Sequence, residues 1–204
     1  MRGRGVGAGV LGALLVAALP ARADGLSGVE TQRLLRGEAV ARNQTVDFAD
    51  HRYVGGVSYV IVDEPADAVA HLLDDVRVWQ RILPKTRSVR AVGVVGQDTF
   101  VELTSGTAFL QVTYTMRVRR EADGVRFWLD RSKRHDFDDA WGFLRLEPMA
   151  DGRSLATYGV LIDVGQGIAQ DIFAGPVRDL AMSVPDQLRG FVLERMAAGQ
   201  RASR

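Results

Sequence analysis

From residue 86 to residue 164 the chain alternates apolar and polar side chains with a period of two for nearly eighty residues. A helix, with its 3.6-residue repeat, cannot bury such a pattern on one face, whereas a strand can. The clearest run is residues 109–119. Leu110, Val112, Tyr114, Met116 and Val118 share one face, and Gln111, Thr113, Thr115, Arg117 and Arg119 share the other. One buried face and one wet face is what an antiparallel sheet covered on a single side requires. Further strands are expected at 89–95, 99–104, 125–129, 140–147 and 154–164. Short turns separate them, Gly96-Gln97-Asp98, Ser105-Gly106, Ala122-Asp123-Gly124 and Asp151-Gly152 among them, which makes the sheet a meander.

Before this sheet comes a strand at 57–62, in which Val57, Tyr59 and Ile61 alternate with Ser58, Val60 and Val62, so both faces are largely apolar. Asp63 is placed to cap a following helix with Pro65 in its first turn. Val69, Ala70, Leu72, Leu73 and Val76 then recur at helical spacing and continue into Trp79, Ile82 and Leu83, which predicts two short helices. Nearer the N-terminus, Ser27 and Glu30 have capping-box spacing, predicting a helix over 28–38 with Leu34 and Leu35 on its apolar side. Residues 39–48 alternate weakly and are either an edge strand or a tether. After the sheet, 165–175 reads as a loop or a short irregular helix, a candidate lid. Pro176 opens a helix through Met182, and Ser183 with Asp186 predicts a further helix containing Pro185. Leu188, Phe191, Val192 and Met196 give that helix an apolar stripe, and 199–204 reads as a disordered tail.

Arg2 and Arg4, the apolar run 6–19 and the sequence Ala21-Arg22-Ala23 have the order of a secretory signal peptide. At fourteen residues the run falls short of the roughly 20 needed to span a bilayer. The expectation is cleavage after residue 23 and a periplasmic or secreted protein. Removing Arg2, Arg4 and Arg22 takes the formal charge from +1 to −2, which gives no support to nucleic-acid binding. The chain has no cysteine, so disulfides, thiolate metal sites and a thiol nucleophile are excluded. The resulting division is a signal peptide (1–23), an N-terminal helix and extension (24–50), one domain (51–198) and the tail (199–204).

A strand, two short helices, an antiparallel meander and a C-terminal helix, in this order, resemble the START-like superfamily, which includes polyketide cyclases, coenzyme Q-binding proteins and birch-pollen-allergen-like carriers. The residues that carry the resemblance are 57–62, Pro65, Val69, Leu73, Trp79, Leu83-Pro84, 142–148, Asp151-Gly152 and 155–158, and it covers about residues 53–197. It implies an α+β helix-grip fold, a curved antiparallel sheet wrapped around a C-terminal helix over an apolar cavity. The N-terminal signal, the added first helix and Pro185, which implies a broken or short final helix, depart from the family pattern.

Such a cavity would be lined by Leu110, Val112, Tyr114, Met116, Phe127, Leu144, Tyr158 and Ile162 of the sheet and by Trp79, Leu83, Leu103 and Leu188. Ligand pockets are mostly apolar with a few polar groups that set orientation, but periodicity alone equally describes a filled core. The expected ligand is a hydrophobic small molecule or lipid, with transient membrane contact and no cofactor. The alternative is a cyclase- or dehydratase-type enzyme using His135 in the polar stretch 131–139, with Asp136, Asp138 or Asp139, or the hydroxyls of Tyr59, Tyr114 and Tyr158. His51, His71 and His135 stand far apart, so no metal ligand set is predicted. Trp128 and Trp141 are expected on or near the outer face, where exposed aromatics would mark a partner or membrane surface.

Overall fold

The structure of the protein, a computed structural model, describes residues 25–106, 111–165 and 168–202, with no side-chain description for 168–173, 200 and 202. The expected signal peptide, Phe109 and Leu110 lie outside the described residues. Eight strands form one antiparallel sheet: β1 (Val40–Phe48), β2 (His51–Val62), β3 (Thr86–Val95), β4 (Asp98–Gly106), β5 (Gln111–Glu121), β6 (Gly124–Leu129), β7 (Asp139–Pro148) and β8 (Ser154–Asp163). Their order across the sheet is β1-β2-β8-β7-β6-β5-β4-β3. Strands β3 to β8 are the meander that the alternation predicts. Strand β2 then pairs with β8, Ser58 opposite Tyr158, and brings the early chain beside its end. Of residues 39–48, left open between strand and tether, Val40–Phe48 form the edge strand β1. Strand β2 starts six residues before Val57, because its first half pairs with both neighbours.

Five helices complete the fold: α1 (Gly28–Leu35), α2 (Ala66–Leu72), α3 (Val76–Ile82), α4 (Ile168–Met182) and α5 (Val184–Ala202). Helices α4 and α5 lie against β2 and β8, α3 against β3 and α5, and α2 against β7. One large cluster fills the space between these four helices and the inner face of the sheet. A second, smaller cluster lies on the opposite face, where Leu34 and Val40 bury against Val57, Tyr59, Ile61 and Leu155. The two apolar faces of β2 therefore serve two cores, one on each side of the sheet.

Helix α1 is held on this outer face by charge as well as packing. The Ser27 hydroxyl accepts from the Glu30 N–H and the Glu30 carboxylate accepts from the Ser27 N–H, closing the predicted capping box. Arg42 of β1 donates to both Glu30 carboxylate oxygens at 2.7 and 2.6 Å and lies over the Tyr59 ring. The Arg42 guanidinium, and then the Ser27 N–H and hydroxyl, hold the Glu30 carboxyl down at about 2 against an ordinary value of 4.5. A depressed carboxyl contributes stability above its unfolded value and loses it as the folded one is approached. The docking of α1 is therefore expected to weaken as pH falls from 4.5 towards 2. Amide exchange in residues 28–35 should accelerate over that range in the native protein and become insensitive to it in Glu30→Gln. Equal protection of α1 at both ends of the range would contradict this.

The helices depart from the sequence pattern in several places. Of the two leucines expected on the apolar side of α1, Leu34 buries and Leu35 faces solvent, because only one side of so short a helix touches the sheet. Pro65 is the N-cap of α2 and no side chain caps it, so Asp63 does not act as the cap; Asp75 instead caps α3 by accepting the Arg77 N–H. Pro176 does not open a helix but lies inside α4, which begins at Ile168 and takes up most of 165–175, the stretch left open between a loop and a short irregular helix. Packing on β2 and β8 outweighs the hydrogen bond that proline removes. The break before Pro185 is present, but without the capping box: the Ser183 hydroxyl donates to the Leu180 carbonyl and Asp186 pairs with Arg189. Helix α5 runs through Ala202, so the expected disordered tail is helical over 199–202.

Candidate functional site in the grip

Most residues expected to line the interior converge on one cluster. Trp79, Leu103, Met116, Phe127, Leu144, Tyr158 and Leu188 are buried in it, and Leu83, Tyr114 and Ile162 pack against it while keeping some exposure. Val112, half-buried, lies beyond this packed group at the start of β5. Much of the predicted lining is thus filled core. The inner-face positions that stay partly open gather at one end of the sheet: Val112 and Tyr114 at the start of β5, Ile162 at the end of β8, and Leu83 after α3.

Phe137 joins them at that end. Its ring meets the Tyr114 ring edge-on at 4.8 Å. The sequence places it in the most polar inter-strand stretch, and a lone phenylalanine there, flanked by Asp136 and Asp138, was the one available signal. The Tyr114 hydroxyl lies 3.4 Å from the Ser105 hydroxyl, which in turn is 3.1 Å from that of Thr86. The Tyr158 ring stacks on Phe127 at 5.8 Å. Burial pushes both phenols above their ordinary value, with Tyr114 adding to the effect on Tyr158. They remain protonated near neutral pH and donate hydrogen bonds rather than accept protons. Tyr158 is only 6% exposed. The Ser58 hydroxyl, on the same face and opposite Tyr158 in register, is buried without a partner among the described residues. Tyr59 points to the outer face and packs under Arg42, and its hydroxyl too is buried without a partner among the described residues.

The 131–139 stretch does not assemble around His135. Asp136 accepts the Thr113 N–H at 2.7 Å, and Asp139 pairs with Arg131 and accepts from the Tyr53 hydroxyl at 2.9 Å. Asp138 lies beside Gly165. None of these carboxylates is held by His135, and Asp136 and Asp139 have partners that the sheet register brings to them. The register also joins residues that the sequence separates by more than a hundred positions: His51 Nδ1 lies 2.5 Å from the carboxylate of Asp163, which is buried. With Asp138 these form a group whose ligand atoms lie within 4.8 Å of one another, on the outer face behind the open end. It is the one group among the described residues with donors suited to a divalent ion, where the isolated histidines predicted none.

The outer face corrects the expectation of exposed aromatics. Trp128 and Trp141 are opposite each other in register and both half-buried. The Arg119 guanidinium covers Trp128 at 5.3 Å, while Asp98 holds that guanidinium at 2.7 Å. Trp141 packs against the outer cluster. Neither ring offers a free partner surface. No helix among the described residues is long and apolar enough to cross a membrane.

No protein-family model matches the chain, and no curated protein matches it. Solved structures do. A STAR-related lipid transfer protein from Xanthomonas axonopodis superposes with a TM-score of 0.54 at 15% identity, covering 74% of this chain and 98% of that one. The ZhuI aromatase/cyclase from Streptomyces sp. R1128 gives 0.55 at 18%, covering 76% and 96%. A START superfamily protein from Mycobacterium smegmatis gives 0.53 at 13%, covering 71% and 97%. At such identities the likeness is one of fold. The curved antiparallel sheet, the helix pair after its second strand and the long C-terminal helix give this chain the helix-grip fold that these solved structures share.

Proposed function

We propose that the protein binds a hydrophobic small molecule or lipid between the sheet and its C-terminal helices. The observation that carries this is the Ser58 hydroxyl, buried on the apolar inner face of the sheet without a partner among the described residues. Leaving a buried hydroxyl unpaired costs about 1–3 kcal/mol, a cost that a bound molecule offering an oxygen would relieve. The partly open inner-face end at Val112, Tyr114, Phe137 and Ile162 is the side from which a ligand would enter, by transient contact with a membrane surface. The solved structures of like fold include one titled a lipid transfer protein and one titled an aromatase/cyclase, which favours an apolar ligand in either case. The carrier reading leads, because Asp136 and Asp139 near His135 are engaged elsewhere and the interior phenols are too weakly acidic to exchange protons readily. On the same reading residues 1–23 direct export, so the ligand is met outside the cytoplasm.

Native mass spectrometry of the protein purified from its own cell envelope, followed by organic extraction, tests this. A hydrophobic molecule of defined mass should co-purify and leave on extraction. A clean apo mass, with no uptake from a mixed lipid extract, would overturn the proposal.

A further inference from the structure

The buried carboxylates of the sheet are not compensated alike. Among the described residues three aspartates are buried, Asp98, Asp130 and Asp163. Asp98 has the Arg119 guanidinium at 2.7 Å, and Asp130 lies 3.9 Å from that of Arg117. Asp163 is the most enclosed of the three and has no arginine or lysine partner among the described residues. Its carboxylate is held by His51 Nδ1 at 2.5 Å and by the Gly165 N–H at 3.0 Å. Asp138 stands in the same group and forms no ion pair with a described residue. The neighbouring Arg131 is taken up by Asp139. Two carboxylates therefore share one histidine, and enclosing a carboxylate without a cation beside it is costly.

We propose that His51, Asp138 and Asp163 form a binding site for a divalent transition-metal ion of the zinc type. One imidazole nitrogen with two carboxylate oxygens suits such ions, whereas Mg2+ and Ca2+ favour oxygen donors alone. The three ligand atoms lie within 4.8 Å of one another. Ligands on one ion, at bond lengths of about 2.1 Å, stand about 3–4 Å apart, so small side-chain rotations close the set. The 2.5 Å contact between His51 and Asp163 is a hydrogen bond that coordination replaces: the Nδ1 lone pair turns to the ion and the ring proton resides on Nε2. Two backbone groups hold the carboxylates in place beforehand. The Asp138 N–H donates to the Asp163 carbonyl at 3.0 Å, and the Gly165 N–H fixes the Asp163 side chain. Asp138 is exposed and His51 partly so, which gives an ion its path from solvent and leaves room for water to complete the shell. The site is on the outer face, so it stands or falls independently of a ligand in the interior. An ion there would tie the starts of β2 and β7 to the end of β8, next to Phe137 at the opening.

Calorimetric titration of the tag-free, chelator-treated protein with zinc chloride tests this. One zinc ion per chain is expected to bind, with Ca2+ and Mg2+ at least about tenfold weaker because neither favours the imidazole. His51→Gln should weaken zinc by about tenfold or more, and Asp138→Asn by about tenfold. Asp138 is exposed, so its variant keeps the test decisive even if losing His51 beside the enclosed Asp163 impairs folding. His135→Ala, in the same polar stretch but outside the group, should bind zinc as the native protein does. Zinc should also slow amide exchange over 136–139 in the native protein and not in Asp138→Asn. No heat of binding up to about 1 mM zinc would overturn the proposal. So would calcium binding as tightly as zinc, undiminished zinc affinity in Asp138→Asn, or an equal loss in His135→Ala. Zinc binding that left exchange over 136–139 unchanged would put the ion elsewhere and overturn it too.

Discussion

Trp79→Ala is expected to destabilise the protein by about 3–5 kcal/mol, the range for losing a buried aromatic from a core. In a chain of this size that lowers the melting temperature by roughly 6–20 °C. Trp79 lies in the middle of α3, and its ring is part of the inner cluster. Its indole N–H donates to the Leu73 carbonyl at 2.9 Å across the turn between α2 and α3, in a buried position. Truncation removes the ring and leaves a carbonyl at the end of α2 without its partner. Trp79→Phe keeps most of the packing and loses the hydrogen bond, so it should cost about 1–3 kcal/mol. Chemical denaturation of the three proteins distinguishes the two contributions. A loss below about 1 kcal/mol in the alanine variant would show that α3 reseats without the plug.

Gly55→Ala is the second substitution with a large expected effect, about 2–5 kcal/mol. Gly55 and Gly56 stand side by side in β2 with φ of 156° and 142°, where residues with a Cβ are strained. A Cβ on Gly55 would lie 1.9 Å from the Val160 carbonyl oxygen of β8, and one on Gly56 2.0 Å from that of Arg42 in β1. Backbone cannot yield as a flexible side chain does, so the β2–β8 ladder must part locally. Because β2 carries both cores, the expected result is loss of global stability in Gly55→Ala. In Gly56→Ala, where the edge strand β1 is displaced, a smaller loss centred on β1 and α1 is expected. Denaturation midpoints and amide exchange in β1 and β8 check the order; equal stability of Gly55→Ala and native protein would refute it.

Much of the scaffold was legible because strands and helices leave separate periodicities. The alternation of 109–119 predicted which face of β5 is buried, and Leu144 and Leu146 likewise lie inward on β7 with Arg145 and Glu147 outward. The Ser27–Glu30 spacing predicted a cap that is present, since both partners lie within one helical turn. Local signals misled where packing overrode them, as at Pro176 inside α4, or where another residue took the role, as Asp75 did for Asp63. The first half of β2 was missed because His51, Arg52, Gly55 and Gly56 weaken the apolar alternation there.

What the sequence by itself determined is the order of elements, the side of each meander strand that faces inward, and the uncharged character of that side. Those properties are written in neighbours two, three or four residues apart. Only the tertiary structure decided which interior residues are packed core and which border an opening. It alone placed Ser58 opposite Tyr158 with the Ser58 hydroxyl unpaired among the described residues, set Phe137 against Tyr114, and drew His51 to Asp163. These contacts arise from strand register, and register sums pairings along the whole sheet. A periodic sequence specifies the face of a residue, but its partner across the ladder depends on chain a hundred residues away.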